Sequence, residues 1–135
     1  MPAFIIYAMG LSISEADEAS IKNIRETACL SMQYVNDYFS YEKEFELSQK
    51  MQAPERIFNA VAVLMRVDSI TASAAKERVK AMAIDHEKEF ALQKELYYRQ
   101  NSNISLDLRK LIEAWETSMA GINYWYVMDC LMRLC

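Results

Sequence analysis

Asn36-Asp37-Tyr38-Phe39-Ser40-Tyr41-Glu42-Lys43-Glu44 spaces an amide, a hydroxyl and a carboxylate four residues apart inside a helix-forming stretch. At 3.6 residues per turn, Asn36, Ser40 and Glu44 fall on one helix face, with about two turns between the first and the last. All three carry hard oxygen donors, the type of set that Mg²⁺ or Mn²⁺ accepts while keeping positions for water and a phosphate oxygen. The set holds a single negative charge, so an ion gripped by it keeps its pull on an anionic substrate. Lys43, beside Glu44, adds a point charge suited to the same anion. The plain alternative is a solvated helix face, since Asn, Ser and Glu are all common there.

Working outward from this run, Ile21, Ile24, Ala28, Met32 and Val35 keep helical spacing into it. A capping box at Ser14-Glu15-Ala16-Asp17 opens the predicted helix, which continues to about Met51. Pro54 restarts the chain at a first-turn position, and Ile57, Val61, Leu64 and Met65 carry a buried face to about Val67. Ser69 to Ser73 reads as a polar loop. From about Ala74 to Tyr98, Val79, Met82, Ala83, Phe90 and Leu96 line one side of a charged helix, which Asn101-Ser102-Asn103 breaks. Ser105 or Asp107 caps the last helix, about Leu106 to Leu131, with Leu108, Leu111, Ile112, Trp115, Met119, Ile122 and Trp125 spaced for burial. The apolar start, Met1 to Leu11, reads as the buried end of a core helix stopping near Gly10. Long helices joined by short loops predict an all-α antiparallel helix bundle.

Composition agrees. One hundred and thirty-five residues make one domain at most, and two Gly with two Pro leave few places for tight bends. The 53% hydrophobic fraction is high for a small isolated bundle with so much surface to solvate, and an absent partner surface explains it. A net charge of −4 without a basic stripe excludes a nucleic-acid binder. Three cysteines without framework spacing point to a reduced, cytoplasmic compartment. The single His86 has no Cys or second His nearby and reads as an exposed helix residue rather than a ligand. Met1 to Leu11 lacks the basic head of a secretory signal and the length of a membrane span.

The nine-residue run resembles the second metal motif of class I terpene synthases, Asn-Asp-x-x-Ser-x-x-x-Glu with Lys often before the Glu, in the wording found in filamentous fungi. Asn59 to Met65 and Ala74 to Glu89 resemble the helices that follow the motif in that family. Trp115, Gly121-Ile122-Asn123, Trp125 and Arg133-Leu134 stand where the family has a Trp, a Gly-Asn pair, a second Trp and an Arg-Tyr pair. Ile122 splits the Gly-Asn pair, and Leu134 replaces the Tyr. The resemblance implies the C-terminal portion of a class I terpenoid synthase fold, with Asn36, Ser40 and Glu44 as Mg²⁺ (or Mn²⁺) ligands and Lys43 and Arg133 on diphosphate. It also implies a prenyl diphosphate substrate, C20 or C25, ionised to an allylic carbocation within aromatic walls. The family's upstream Asp-rich cluster has no counterpart in this sequence, since Ile21 and Lys22 follow Asp17-Glu18 where acids are needed. The expectation is therefore a partial terpene cyclase domain over residues 1–135, with self-association or a complementing chain to cover its apolar surface. A non-catalytic helical remnant or interaction module with a residual metal motif is the alternative.

Overall fold

A computed structural model describes residues 2–52 and 57–133, and for Pro2, Cys130, Leu131 and Arg133 the backbone alone. Six helices follow one another: α1 (Pro2–Ala8), α2 (Glu15–Ser20), α3 (Lys22–Lys50), α4 (Ala60–Asp68), α5 (Ala72–Gln100) and α6 (Leu106–Arg133). No strand occurs among the described residues, and the all-α fold expected from the sequence is the one observed.

The helix ends obey local chemistry. Gly10, at φ +61°, closes α1: the N–H of Leu11 donates to the Ile6 carbonyl (2.9 Å) and that of Gly10 to Tyr7 (3.1 Å). That pairing is the Schellman arrangement, which needs the left-handed backbone glycine adopts without a Cβ penalty. The Ser14 hydroxyl accepts from the Asp17 N–H at 3.1 Å and caps α2. Thr71 caps α5 in the same manner, and Ser105, rather than Asp107, caps α6 by accepting from the Leu108 N–H at 3.2 Å. Asp107 instead accepts from the Ser12 N–H at 2.9 Å. Pro54 lies outside the described residues, and the observed start of α4 is set by Asn59, whose side chain accepts from the Val61 N–H.

Several expectations are corrected. The helix predicted from Ser14 to Met51 is two helices, interrupted at Ile21 (φ −107°, ψ 13°). There the Ser20 hydroxyl turns back to the Asp17 carbonyl (2.7 Å) and meets the Tyr97 hydroxyl (2.8 Å), while Ile21 drops into the core. A hydroxyl that bonds its own preceding turn bends or ends a helix. Trp125 is 61% exposed and Leu96 is exposed, because no described element packs on those faces. Among the described side chains of α1, Ile5 and Ile6 pack on the core, whereas Phe4 and Tyr7 are exposed. His86 also departs from its expected exposure, being half-buried with its ring stacked on Tyr34 at 5.5 Å.

Side-chain partners give the helix directions. Thr27 meets Gln93, Ser31 meets the Ala83 carbonyl, and Glu42 meets Lys76, so α3 and α5 run antiparallel. Lys94 pairs with Glu116, and Arg109 lies over the Tyr98 ring, so α5 and α6 are antiparallel as well. Two apolar clusters fill the space between them. The larger holds Ile24, Ala28 and Met32 of α3, Phe90 of α5, and Leu108, Leu111, Ile112, Trp115 and Met119 of α6. The smaller joins Tyr41 and Ile57 to Val61 and Ala62 of α4 and to Ala75 and Val79 of α5.

Trp115 is 1% exposed at the centre of the larger cluster. Trp115→Ala is expected to destabilise the fold by about 3–5 kcal/mol, whereas Trp125→Ala stays within about 0.5 kcal/mol of the parent. Chemical denaturation followed by circular dichroism measures both, and equal effects would contradict the assigned core.

Candidate metal site

The run quoted above occupies the middle of α3, and its residues divide between two faces. Asp37 and Tyr41 point inward and are buried, while Asn36, Ser40 and Glu44 are half-buried along one edge. Asp37, 5% exposed, uses both carboxylate oxygens: Oδ1 accepts from Gln33 Nε2 and Oδ2 from the Ala60 N–H, each at 2.8 Å. The second bond places a negative charge at the N-terminus of α4, where unsatisfied N–H groups and the helix dipole both favour it. Asn59 completes that terminus. Its Oδ1 accepts from the Val61 N–H at 2.9 Å, and its Nδ2 donates to the Asp37 carbonyl at 3.0 Å.

Of the three oxygen-bearing side chains named from the sequence, Ser40 and Glu44 meet, and Asn36 stands one turn earlier on the same helix edge. The Ser40 hydroxyl donates to Glu44 Oε1 at 2.5 Å, and Asn59 Nδ2 stands 3.4 Å from Glu44 Oε2 and 3.5 Å from Ser40 Oγ. One turn earlier, Asn36 Oδ1 accepts from the Tyr126 hydroxyl of α6 at 2.5 Å. The Tyr126 ring stacks on Phe39, centroids 4.8 Å apart and planes 7° from parallel. Burial first, and then the charges of Glu44, Asp37 and Asp129, push the Tyr126 phenol above its ordinary pKa, so at neutral pH it remains a protonated donor. An amide oxygen has two lone pairs, and this bond uses one.

Amide, hydroxyl and carboxylate oxygens on one edge suit a single hard divalent cation approached from the side. Among the described residues no group of three or more His, Cys, Asp or Glu is arranged to hold a metal, so this mixed set with one carboxylate stands by itself. Glu42 is turned away and pairs with Lys76 at 2.5 Å, and the Lys76 ammonium lies 4.6 Å above the Tyr38 ring. Lys43 is exposed next to Glu44. Arg133 ends α6, and its side chain lies outside the described residues. A cleft of about 360 Å³ between α3 and α6, lined by Cys29, Met32, Gln33, Asn36 and Ile122, continues the edge toward the start of α3.

Residues 1–89 match the family model described as terpene synthase family 2, C-terminal metal binding. The chain belongs to that terpene synthase family. It is similar to a sesterterpene synthase, btcA, of Colletotrichum orbiculare, with 33% identity over 123 residues, 91% of this chain and 17% of that protein. It is 34% identical over 119 residues to preterpestacin I synthase tpcA of Cochliobolus heterostrophus, covering 88% of this chain and 17% of that protein. Against the terpene cyclase ATR13 of Stachybotrys chlorohalonatus the identity is 29% over 123 residues, 91% of this chain and 32% of that protein. The chain thus spans about 17% of the length of the first two of these terpene synthases.

Two residues that touch this oxygen edge escaped the sequence reading. Asn59 had a legible signal, being a preferred N-cap residue directly before an apolar helical run, but nothing local said that the cap would face the oxygen edge. Tyr126 carried no local signal, because its bond to Asn36 bridges 90 positions.

Asp37→Ala removes two hydrogen-bond acceptors from a buried position and uncaps α4. The expected loss of stability is about 1–3 kcal/mol, and less for Asp37→Asn, whose amide oxygen still accepts from Ala60. Urea midpoints of the two variants test the order.

Proposed function

We propose that this chain is the metal-binding part of a class I terpene cyclase and that Asn36, Ser40 and Glu44 hold one Mg²⁺, or Mn²⁺, against the diphosphate of a linear prenyl substrate. The observation that carries the proposal is the meeting of Ser40 Oγ and Glu44 Oε1 at 2.5 Å, one turn beyond Asn36 on the same helix edge. Family membership supports the divalent metal and the prenyl diphosphate class. Similarity to a sesterterpene synthase favours a C25 over a C20 chain. No described helix is long and apolar enough to cross a membrane, and the free thiol of Cys29 fits a reducing cytoplasm.

When bound, a divalent ion supplies Lewis-acid stabilisation to the departing diphosphate as the allylic C–O bond breaks. The chain's own residues do the rest. Glu44 provides the one formal charge of the set and so retains the ion, while Asn36 and Ser40 add neutral oxygens that leave the ion's positive charge available to the anion. Lys43, exposed beside Glu44, reaches for diphosphate, and Arg133 at the end of α6 is assigned to the same group. Cys29, Met32 and Ile122 give the cleft next to Asn36 part of the apolar surface that a carbocation would need. Residues 1–135 form one part of the cyclase domain, and helices carrying the remaining carboxylates complete it. Trp125, Tyr124 and Met132 are exposed on α6, and a complementing chain or self-association would cover them.

In a cyclase that contains the completing helices, Glu44→Gln is expected to lower turnover on the order of 10²-fold or more, by comparison with other contacts to a developing anion. Glu42→Gln is expected to leave turnover nearly unchanged, because Glu42 is rotated about 200° from Glu44 on the helix and is committed to Lys76. Equal losses would mean that the edge is a solvated helix face.

The 135-residue chain alone, given geranylgeranyl or geranylfarnesyl diphosphate and Mg²⁺, is expected to release no cyclic hydrocarbon and to sediment as more than a monomer. Product in gas chromatography would overturn the partial-domain reading.

A further inference from the structure

We infer that Asn59 is a positioning residue for the metal edge: from the start of α4 it holds the Ser40–Glu44 pair of α3 in one arrangement, without itself being a ligand. The inference rests on the reading of Asn36, Ser40 and Glu44 as the ligand set. Asn59 is 2% exposed, so its amide must find its partners within the protein. Its oxygen is committed to the Val61 N–H at 2.9 Å, and its nitrogen lies 3.0 Å from the Asp37 carbonyl. An amide nitrogen carries two hydrogens. With one on Asp37, the other faces Glu44 Oε2 at 3.4 Å and Ser40 Oγ at 3.5 Å.

The amide can sit only one way round. Flipped, its NH₂ would oppose the Val61 N–H, and its oxygen would oppose the Asp37 carbonyl and the Glu44 carboxylate, replacing every attraction by a repulsion. The end presented to the metal edge is therefore always a donor, which can anchor a carboxylate and cannot coordinate a cation. Glu44 is the ligand that needs anchoring, since it is the longest and most freely rotating of the three. Asn59 holds its Oε2 and Ser40 holds its Oε1, which fixes the plane of the carboxylate before any ion arrives. Asn59 is in turn held by the Asp37–Ala60 bond between α3 and α4. Removal of such an outer partner commonly lowers metal affinity on the order of 10-fold or more.

The test compares Mn²⁺ binding by the wild-type 135-residue chain, Asn59→Ser and Val61→Ala, with free Mn²⁺ read by electron paramagnetic resonance. Serine caps a helix as well as asparagine does but has no NH₂ to offer Glu44. Val61→Ala loosens the same turn of α4, where Val61 is fully buried, and leaves the polar contacts alone. The expected result is affinity about 10-fold weaker in Asn59→Ser and near wild type in Val61→Ala, even though the latter melts at a lower temperature. Wild-type affinity in Asn59→Ser, or an equal loss in Val61→Ala, overturns the positioning role while leaving the ligand set standing. A wild-type chain that binds Mn²⁺ no better than Glu44→Gln overturns the ligand set, and the inference with it. A measurement on the wild-type chain covers failure of a variant to fold: the Asn59 side-chain amide resonances should shift during a Mg²⁺ titration with the same midpoint as the Glu44 carboxylate carbon. Stationary Asn59 resonances, with Glu44 moving, would overturn the role as well.

Discussion

A carboxylate inside a helical core is tolerated only when each oxygen meets a donor, and the arrangement around Asp37 follows from that demand. One oxygen takes the Gln33 amide on the same helix, and the other takes the first N–H of α4. The second bond fixes where α4 begins against α3. It brings Asn59 to the Asp37 carbonyl, and through Asn59 it brings a donor to Ser40 and Glu44. Val61 and Ala62 then enter the core beside Tyr41, Ala75 and Val79. Loss of this carboxylate would release the cap, the smaller core cluster and the supported edge of the site together.

The two faces of the motif helix thus do different work within nine residues. Asp37 spends its charge on structure, Glu42 on Lys76 at the surface, and only Glu44 keeps a carboxylate on the edge shared by Asn36 and Ser40. A sequence of acids looks redundant when written as a line, yet the 100° step of a helix sends each to a different environment. One charge in a set of neutral donors makes a weak site when it stands alone. In the role proposed for it, such a set would leave most of a bound cation's charge unneutralised, which suits an anionic partner.

Local chemistry was legible in the sequence, and long-range placement was not. The Gly10 stop, the Ser14 cap, the break at Asn101 and the buried stripe from Leu108 to Met119 depend on neighbours within a turn or two, and they stand as read. The oxygen edge was legible for the same reason, since its spacing is that of one helix. Trp125 was misjudged because periodicity reports a face and not whether anything covers it. At the interruption, Ser20 also meets Tyr97 of another helix and Ile21 enters the core, and neither contact shows in the spacing. Asn59 and Tyr126 reach the edge only through tertiary contacts, so neither pattern nor propensity marked them.

The antiparallel contact between α3 and α5 has a bearing on the order in which the chain assembles. Its cross-links close progressively larger loops: 34 positions separate Glu42 from Lys76, 52 separate Ser31 from Ala83 and 66 separate Thr27 from Gln93, and beyond them 77 separate Ser20, at the end of α2, from Tyr97. Once the shortest loop is shut, each further contact is local to the pair already joined, and even the direct closure of a loop twice as long adds only about 0.6 kcal/mol. By loop entropy alone, closing this contact from the α4 end toward α2 costs least at each step. The oxygen edge lies near the short-loop end of this contact, while the Ser12–Asp107 bond spans 95 positions.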